Sequence, residues 1–290
     1  MKKKKIILLI LGIILVIFAI TMLTIPNNKL GEPTFSKYYQ GNYKKVFNEL
    51  LPAAKNGDSV AQVSLGNLYS AGLGVKQSYK KAYYWYKRAS DKNNANGVLG
   101  LGVMYNKGYY VEQNYKKAVD LYKRAIKIDN NSMAKYNLSF AYLEGDGVAK
   151  NYKNGLSLLE DAAAQNNAMA LLNLGSNYYE GLYGLLVNYN KAFNYFKKSA
   201  ELGEPMGQNN LAVMFYQGKG TVKNNFKAYK WFFISANYGN CNMSKKLLKN
   251  YSFNLTDKLI KEAETQARLW INSHKEINQN LVSANFKTSR

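Results

Sequence analysis

The chain has 290 residues, 47% of them apolar, with four prolines and a formal charge of +22. That length suits either a repeat array or two globular domains, and so much apolar content means that most of it folds. A single cysteine, Cys241, excludes an intrachain disulfide and leaves no cysteine set for zinc or thiol–redox chemistry.

The first element is a membrane segment. Lys2, Lys3, Lys4 and Lys5 form a basic tail (residues 1–5), followed by an uncharged run from Ile6 to Ile25. A helix of that length spans roughly 30 Å, the hydrocarbon thickness of a bilayer. Pro26-Asn27-Asn28 ends the run. The positive-inside rule keeps the tail cytoplasmic and sends the rest across the membrane, facing the periplasm if the cell is Gram-negative. A cleaved signal peptide, giving a secreted protein, is the competing reading. Its apolar core is normally about 7–15 residues with a small-x-small cleavage site, and Ala19-Ile20-Thr21 is a poor one. Residues 26–37, with Pro26, Gly31 and Pro33, read as a tether.

The remainder is basic as well, with about two Lys or Arg for each Asp or Glu. Such a surface favours anionic partners, acidic proteins among them. The lysines are scattered and form no stripe, so the charge equally fits an AT-rich coding bias.

From residue 58 the chain repeats. A small residue, three others, Leu, a small residue, two others and an aromatic recur as Ala61/Leu65/Gly66/Tyr69, Gly97/Leu101/Gly102/Tyr105, Ala134/Leu138/Ser139/Tyr142, Ala170/Leu174/Gly175/Tyr178 and Gly207/Leu211/Ala212/Phe215. A glycine follows each aromatic: Gly72, Gly108, Gly145, Gly181 and Gly218. A second block places Ala82/Ala89, Ala118/Ala125, Gly155/Ala162, Ala192/Ser199 and Ala228/Ser235 at matching distances. Each unit reads as two helices. Asp58, Asn94, Asn131, Asn167 and the weaker Glu204 are the expected caps of the first helices. Ser78, Asn114, Asn151, Asn188 and Asn224 take that place in the second. Gly57, Asn93, Asn130, Asn166 and Gly203, just before the first-helix caps, are types that accept left-handed backbone. Gly66 and Ala89 allow close approach, with Leu65, Tyr69 and Trp85 filling the space between the helices. One hairpin cannot bury its apolar face alone, so the units are expected to stack into a right-handed superhelical solenoid, an all-α fold.

Gly57-Asp58-Ser59-Val60-Ala61-Gln62, Leu65-Gly66, Tyr69, Gly72-Leu73-Gly74-Val75 and Lys81-Ala82 through Trp85-Tyr86 to Ala89 resemble the Sel-1-like repeat family, relatives of the tetratricopeptide repeat. The resemblance covers residues 38–274. It divides into an opening half repeat (38–57), five repeats (58–93, 94–130, 131–166, 167–203, 204–239) and capping helices (240–274). Residues 275–290 lack a period and read as a flexible tail. Tyr110 stands in for the second loop glycine, Ser139 and Ala212 for the first-helix glycine, and Gly155 for the second-helix alanine.

Candidate catalytic chemistry is thin. His274 is alone at the end of the last predicted helix, with no partners for a triad. The family includes cysteine-rich members that act on β-lactams, which draws attention to Ser78-x-x-Lys81 and Ser132-x-x-Lys135. Both serines sit near helix starts, and the accompanying Ser-Asp-Asn and Lys-Thr-Gly triplets are absent. The Gly-x-Gly pairs are repeat loops and make no phosphate-binding fingerprint. No catalytic residue, metal or cofactor is therefore expected, and no nucleic-acid partner. The alternative in another class is an envelope enzyme acting on β-lactams or peptidoglycan.

Members of the family commonly act as adaptors, which implies a scaffold binding proteins or peptides in envelope or host-interaction assemblies. By analogy with tetratricopeptide arrays, the concave groove falls on one stripe of the first helices. That stripe comprises Val63 and Asn67; Leu99 and Val103; Met133, Tyr136, Phe140 and Leu143; Met169, Leu172 and Tyr179; and Met206, Asn209, Val213 and Tyr216. Packing between adjacent first helices is the competing role, and an accessible groove would leave Tyr136, Phe140, Tyr179 and Tyr216 partly exposed.

Overall fold

The computed structural model describes residues 43–251 and 253–287, and every regular element among them is an α-helix. Residues 6–25, where the sequence places a membrane span, lie outside the described residues, as do the basic tail, the tether and residues 38–42. No helix among the described residues is long and apolar enough to cross a membrane.

The chain divides into two compact units, Met1–Asn131 with Gln279–Arg290, and Ser132–Asn278. The first unit contains α1 (Tyr43–Lys55), α2 (Ser59–Ala71), α3 (Tyr79–Asp91), α4 (Ala95–Lys107) and α5 (Tyr115–Asp129). In the second lie α6 (Ser132–Glu144), α7 (Tyr152–Ala164), α8 (Ala168–Glu180), α9 (Tyr189–Glu201), α10 (Pro205–Gln217), α11 (Asn225–Asn237) and α12 (Asn242–Asn250). The last helix, α13 (Asp257–Lys287), starts in the second unit.

Local chemistry sets the helix ends. Asp58 accepts from the Val60 and Ala61 N–H groups, Asn94 from Asn96 and Gly97, and Asn167 from Ala170. Ser78, Asn114, Asn151, Asn188 and Asn224 each accept from the N–H three residues on. Gly57, Asn93, Asn130, Asn166 and Gly203 all have positive φ, between 55° and 97°. Tyr110 adopts φ 66° in place of glycine, and the inserted Tyr183 adopts φ 56°; their rings lean on Tyr83 and Tyr152.

The helices of a repeat meet ring against glycine. A β-carbon on Gly66 would lie 2.5 Å from the Tyr86 ring, one on Gly102 2.6 Å from Tyr122 and one on Gly175 2.6 Å from Phe196. Tyr86 thus fills the gap over Gly66, beside the expected Trp85. Trp85, one residue back, packs with Leu65 and Leu68 of α2 and with Val46 and Leu50 of α1, so α1 shares the core of the first hairpin. In the second unit, Phe196, Leu211, Phe232 and Ile234 form one core with Phe253, Ala267 and Ile271 at the capping end. Residues 275–287, expected to be a tail, continue α13; no glycine or proline between Asp257 and Lys287 interrupts it.

Candidate partner-binding face

The first helices carry almost no charge. Neither α2 nor α10 contains a Lys, Arg, Asp or Glu, α4 has only Lys107, α8 only Glu180, and α6 one of each sign, Lys135 and Glu144. What these helices offer at their surface is therefore apolar contact and hydrogen bonding.

The expected stripe separates into two classes. Val63, Asn67, Leu99, Val103, Tyr136, Leu143, Met169 and Asn209 are buried, with relative exposures from 0% to 7%. A partner cannot reach them. Tyr136 in particular is core: its ring meets Phe140 edge-on, and its hydroxyl accepts from Asn173 Nδ2 at 3.2 Å. Burial pushes its pKa up, as does the carboxylate of Glu204. Asn67 accepts from the Tyr86 hydroxyl at 2.7 Å, and Asn209 from Ser244 Oγ at 2.9 Å. These contacts hold neighbouring helices together, which is why such residues occupy the side of the stripe facing the next helix.

Met133, Phe140, Leu172, Tyr179, Met206, Val213 and Tyr216 are partly exposed. All seven lie in the second unit. The face is already closed at its C-terminal end. Tyr251 stacks on Tyr216 with ring centroids 4.4 Å apart, and Phe253 adds an edge contact. Cys241 Sγ approaches Met206 Sδ at 3.9 Å. The part of the stripe left accessible comprises Met133, Phe140, Leu172, Tyr179 and Val213. Tyr179 is held by Gln217 Oε1 at 3.1 Å and by the Lys219 ammonium at 2.8 Å. This hydroxyl contact raises the lysine pKa. Tyr179 belongs to the expected stripe; Lys219, the loop residue that clamps it, lies 40 residues on and outside the reach of the sequence pattern.

The other candidate residues have local duties. Ser78 Oγ accepts from the Lys81 N–H as a cap, while Lys81 Nζ lies 5.1 Å from the centre of the Tyr69 ring. Lys135 Nζ pairs with Asp161 at 3.4 Å. His274 stacks on Trp270 and its Nδ1 lies 2.9 Å from the Trp270 carbonyl oxygen. Ser273 Oγ also donates to that carbonyl, at 2.9 Å. Among the described residues no group of three or more His, Cys, Asp or Glu side chains is placed to hold a metal.

The family model for the Sel1 repeat matches residues 59–94, 96–130, 132–167, 168–204 and 205–240. A Sel1 repeat protein from Oxalobacter formigenes is 26% identical, with 83% of this chain and 94% of that chain covered and a TM-score of 0.58. The immunity protein Pa5087 from Pseudomonas aeruginosa is 20% identical over 87% of this chain and 86% of its own, with a TM-score of 0.55. A Sel1 repeat protein from Klebsiella pneumoniae subsp. pneumoniae is 24% identical over 70% and 97%, with a TM-score of 0.50. No curated protein matches the chain.

Proposed function

Since the chain belongs to the Sel1 repeat family, whose fold is a scaffold typical of protein–protein interaction, we propose that it binds a protein or peptide through the first helices of its second unit. The observation carrying this reading is the partly exposed strip of Phe140, Leu172, Tyr179 and Val213 on helices nearly devoid of charge. Aromatic and aliphatic anchors of this kind supply most of the energy in protein interfaces. The net positive charge of the chain suits an acidic partner. In the same reading residues 6–25 anchor the chain in a membrane and the repeats act outside the cytoplasm, in an envelope or host-interaction assembly. Support comes from the uncharged run behind Lys2–Lys5.

Crosslinking in the native cell, followed by mass spectrometry, identifies the partner. Phe140→Ala with Tyr179→Ala is then expected to reduce the crosslinked yield at least tenfold, a loss of about 1.4 kcal/mol, without unfolding the chain. An unchanged yield would move the binding site elsewhere.

A further inference from the structure

The loop joining the two helices of each repeat has an outermost position that the register aligns across the array: Lys76, Glu112, Ala149, Leu186 and Val222. All five are exposed. In the first two repeats the position holds a charge, so the fold does not require an apolar side chain there. In the last two it holds aliphatic residues that are 87% and 85% exposed. Val187 beside Leu186 is 53% exposed.

These tips belong to well-tied loops. Gly181 is left-handed, Leu182 N–H donates to the Asn177 carbonyl, Leu185 N–H to that of Leu182, and Asn188 N–H to that of Tyr178. The following loop is pinned by Lys219 N–H to the Met214 carbonyl and by Asn224 N–H to that of Phe215. The two loops are neighbours. Lys219 Nζ lies 4.9 Å from the Tyr189 ring centre, and a β-carbon on Gly220 would collide with the Tyr189 carbonyl. Leu186 and Val222 are thus held out from one edge of the second unit.

That edge is basic and aromatic. Lys150, Lys153, Lys191, Lys223 and Lys227 are exposed on its loops and the first turns of the helices that follow. Tyr152 and Tyr189 are exposed between them. The acidic residues nearby are Glu144, Asp146 and Glu180, and Glu144 accepts the Tyr183 hydroxyl at 2.8 Å. Aliphatic tips projecting singly, tyrosines behind them and lysines around them match the layers of a bilayer surface: acyl chains, interface and anionic headgroups. A protein partner would have to supply a separate pocket for each tip, whereas lipid needs no such shape.

We propose that the loop edge of the second unit docks on an anionic lipid bilayer, with Leu186 and Val222 inserted below the headgroups and the lysines bound to them. This contact adjoins the partner-binding face at Tyr179, which Lys219 and Tyr189 touch, and does not depend on the N-terminal segment. The test uses the full chain with Cys241→Ser and a single environment-sensitive fluorophore on Leu186→Cys, Val222→Cys or Asn237→Cys. Asn237 is exposed at the far end of α11, roughly 18 Å from its start at 1.5 Å per residue. Each labelled chain is mixed with vesicles of phosphatidylglycerol or of phosphatidylcholine. Labels at 186 and 222 are expected to shift to the blue and be quenched by brominated lipid in phosphatidylglycerol, with little change in phosphatidylcholine and none at 237. Lys150→Glu with Lys223→Glu should weaken the response at least tenfold, since each surface lysine contributes roughly fivefold. An equal response at 237, or none at 186 and 222, would overturn the proposal. A response that needs added cell proteins and resists brominated lipid would overturn it in favour of a protein partner.

Discussion

The ring of Tyr86 occupies the space that a β-carbon on Gly66 would enter, with a ring carbon 2.5 Å from that position. Tyr86 is 3% exposed and cannot swing aside without leaving the core, where its hydroxyl bonds Asn67. Gly66→Ala is therefore expected to destabilise the first unit by about 1–3 kcal/mol despite the better helix propensity of alanine. Thermal or urea unfolding reads the difference.

Leu138, the core leucine of the third repeat, is 4% exposed. Leu138→Asp places an unpaired charge there, at a cost of roughly 3 kcal/mol or more. Circular dichroism should show a large fall in thermal midpoint. A midpoint equal to that of the parent would contradict the register.

Glu204 is the cap that departs most from its counterparts. It is 4% exposed, its bond from Met206 N–H is long at 3.4 Å, and burial pushes its pKa up to about 7. The unfolded chain ionises near the usual carboxylate value, so between there and pH 7 the folded state holds a proton that the unfolded state has lost. Stability consequently falls as pH rises through that window. Glu204→Asn installs the cap found at Asn94 and Asn167 and removes the ionisation. It is expected to raise the thermal midpoint more at pH 8 than at pH 5, with a difference on the order of 2–3 kcal/mol.

Asn177 occupies a register position held by Leu68, Met104, Ala141 and Met214 in the other repeats. It is 4% exposed, and its Nδ2 has no hydrogen-bond acceptor. Asn177→Met should stabilise the second unit by about 1–2 kcal/mol by removing that desolvated amide. Chemical denaturation of the variant measures it.

Alkaline phosphatase fused after Arg290 should be active if residues 6–25 send the repeats across the membrane, and alkaline carbonate should then fail to extract the chain. A mature N-terminus between residues 20 and 30 would support a cleaved signal.

Features whose causes lie within one hairpin are legible in the amino-acid sequence. Caps such as Asn114 bond the N–H three residues on, and Asn93 or Gly203 turns the chain where a helix must stop; neither needs knowledge of another repeat. The register followed from the same short-range rules, and with it the core positions of Leu65, Leu138 and Leu211. Tertiary structure decided which residues of one helical stripe remain accessible. Tyr136 and Phe140 sit one turn apart, yet the first is sealed by Asn173 of the next first helix and the second keeps an exposed side. Burial at such positions depends on how closely the neighbouring helix approaches, and that distance is set by side chains about 37 residues away. For the same reason the exposure of Leu186 and Val222 could not be read from their hydrophobicity. An aliphatic residue in a loop is legible as a surface feature only once the loop is seen to hold it away from every core.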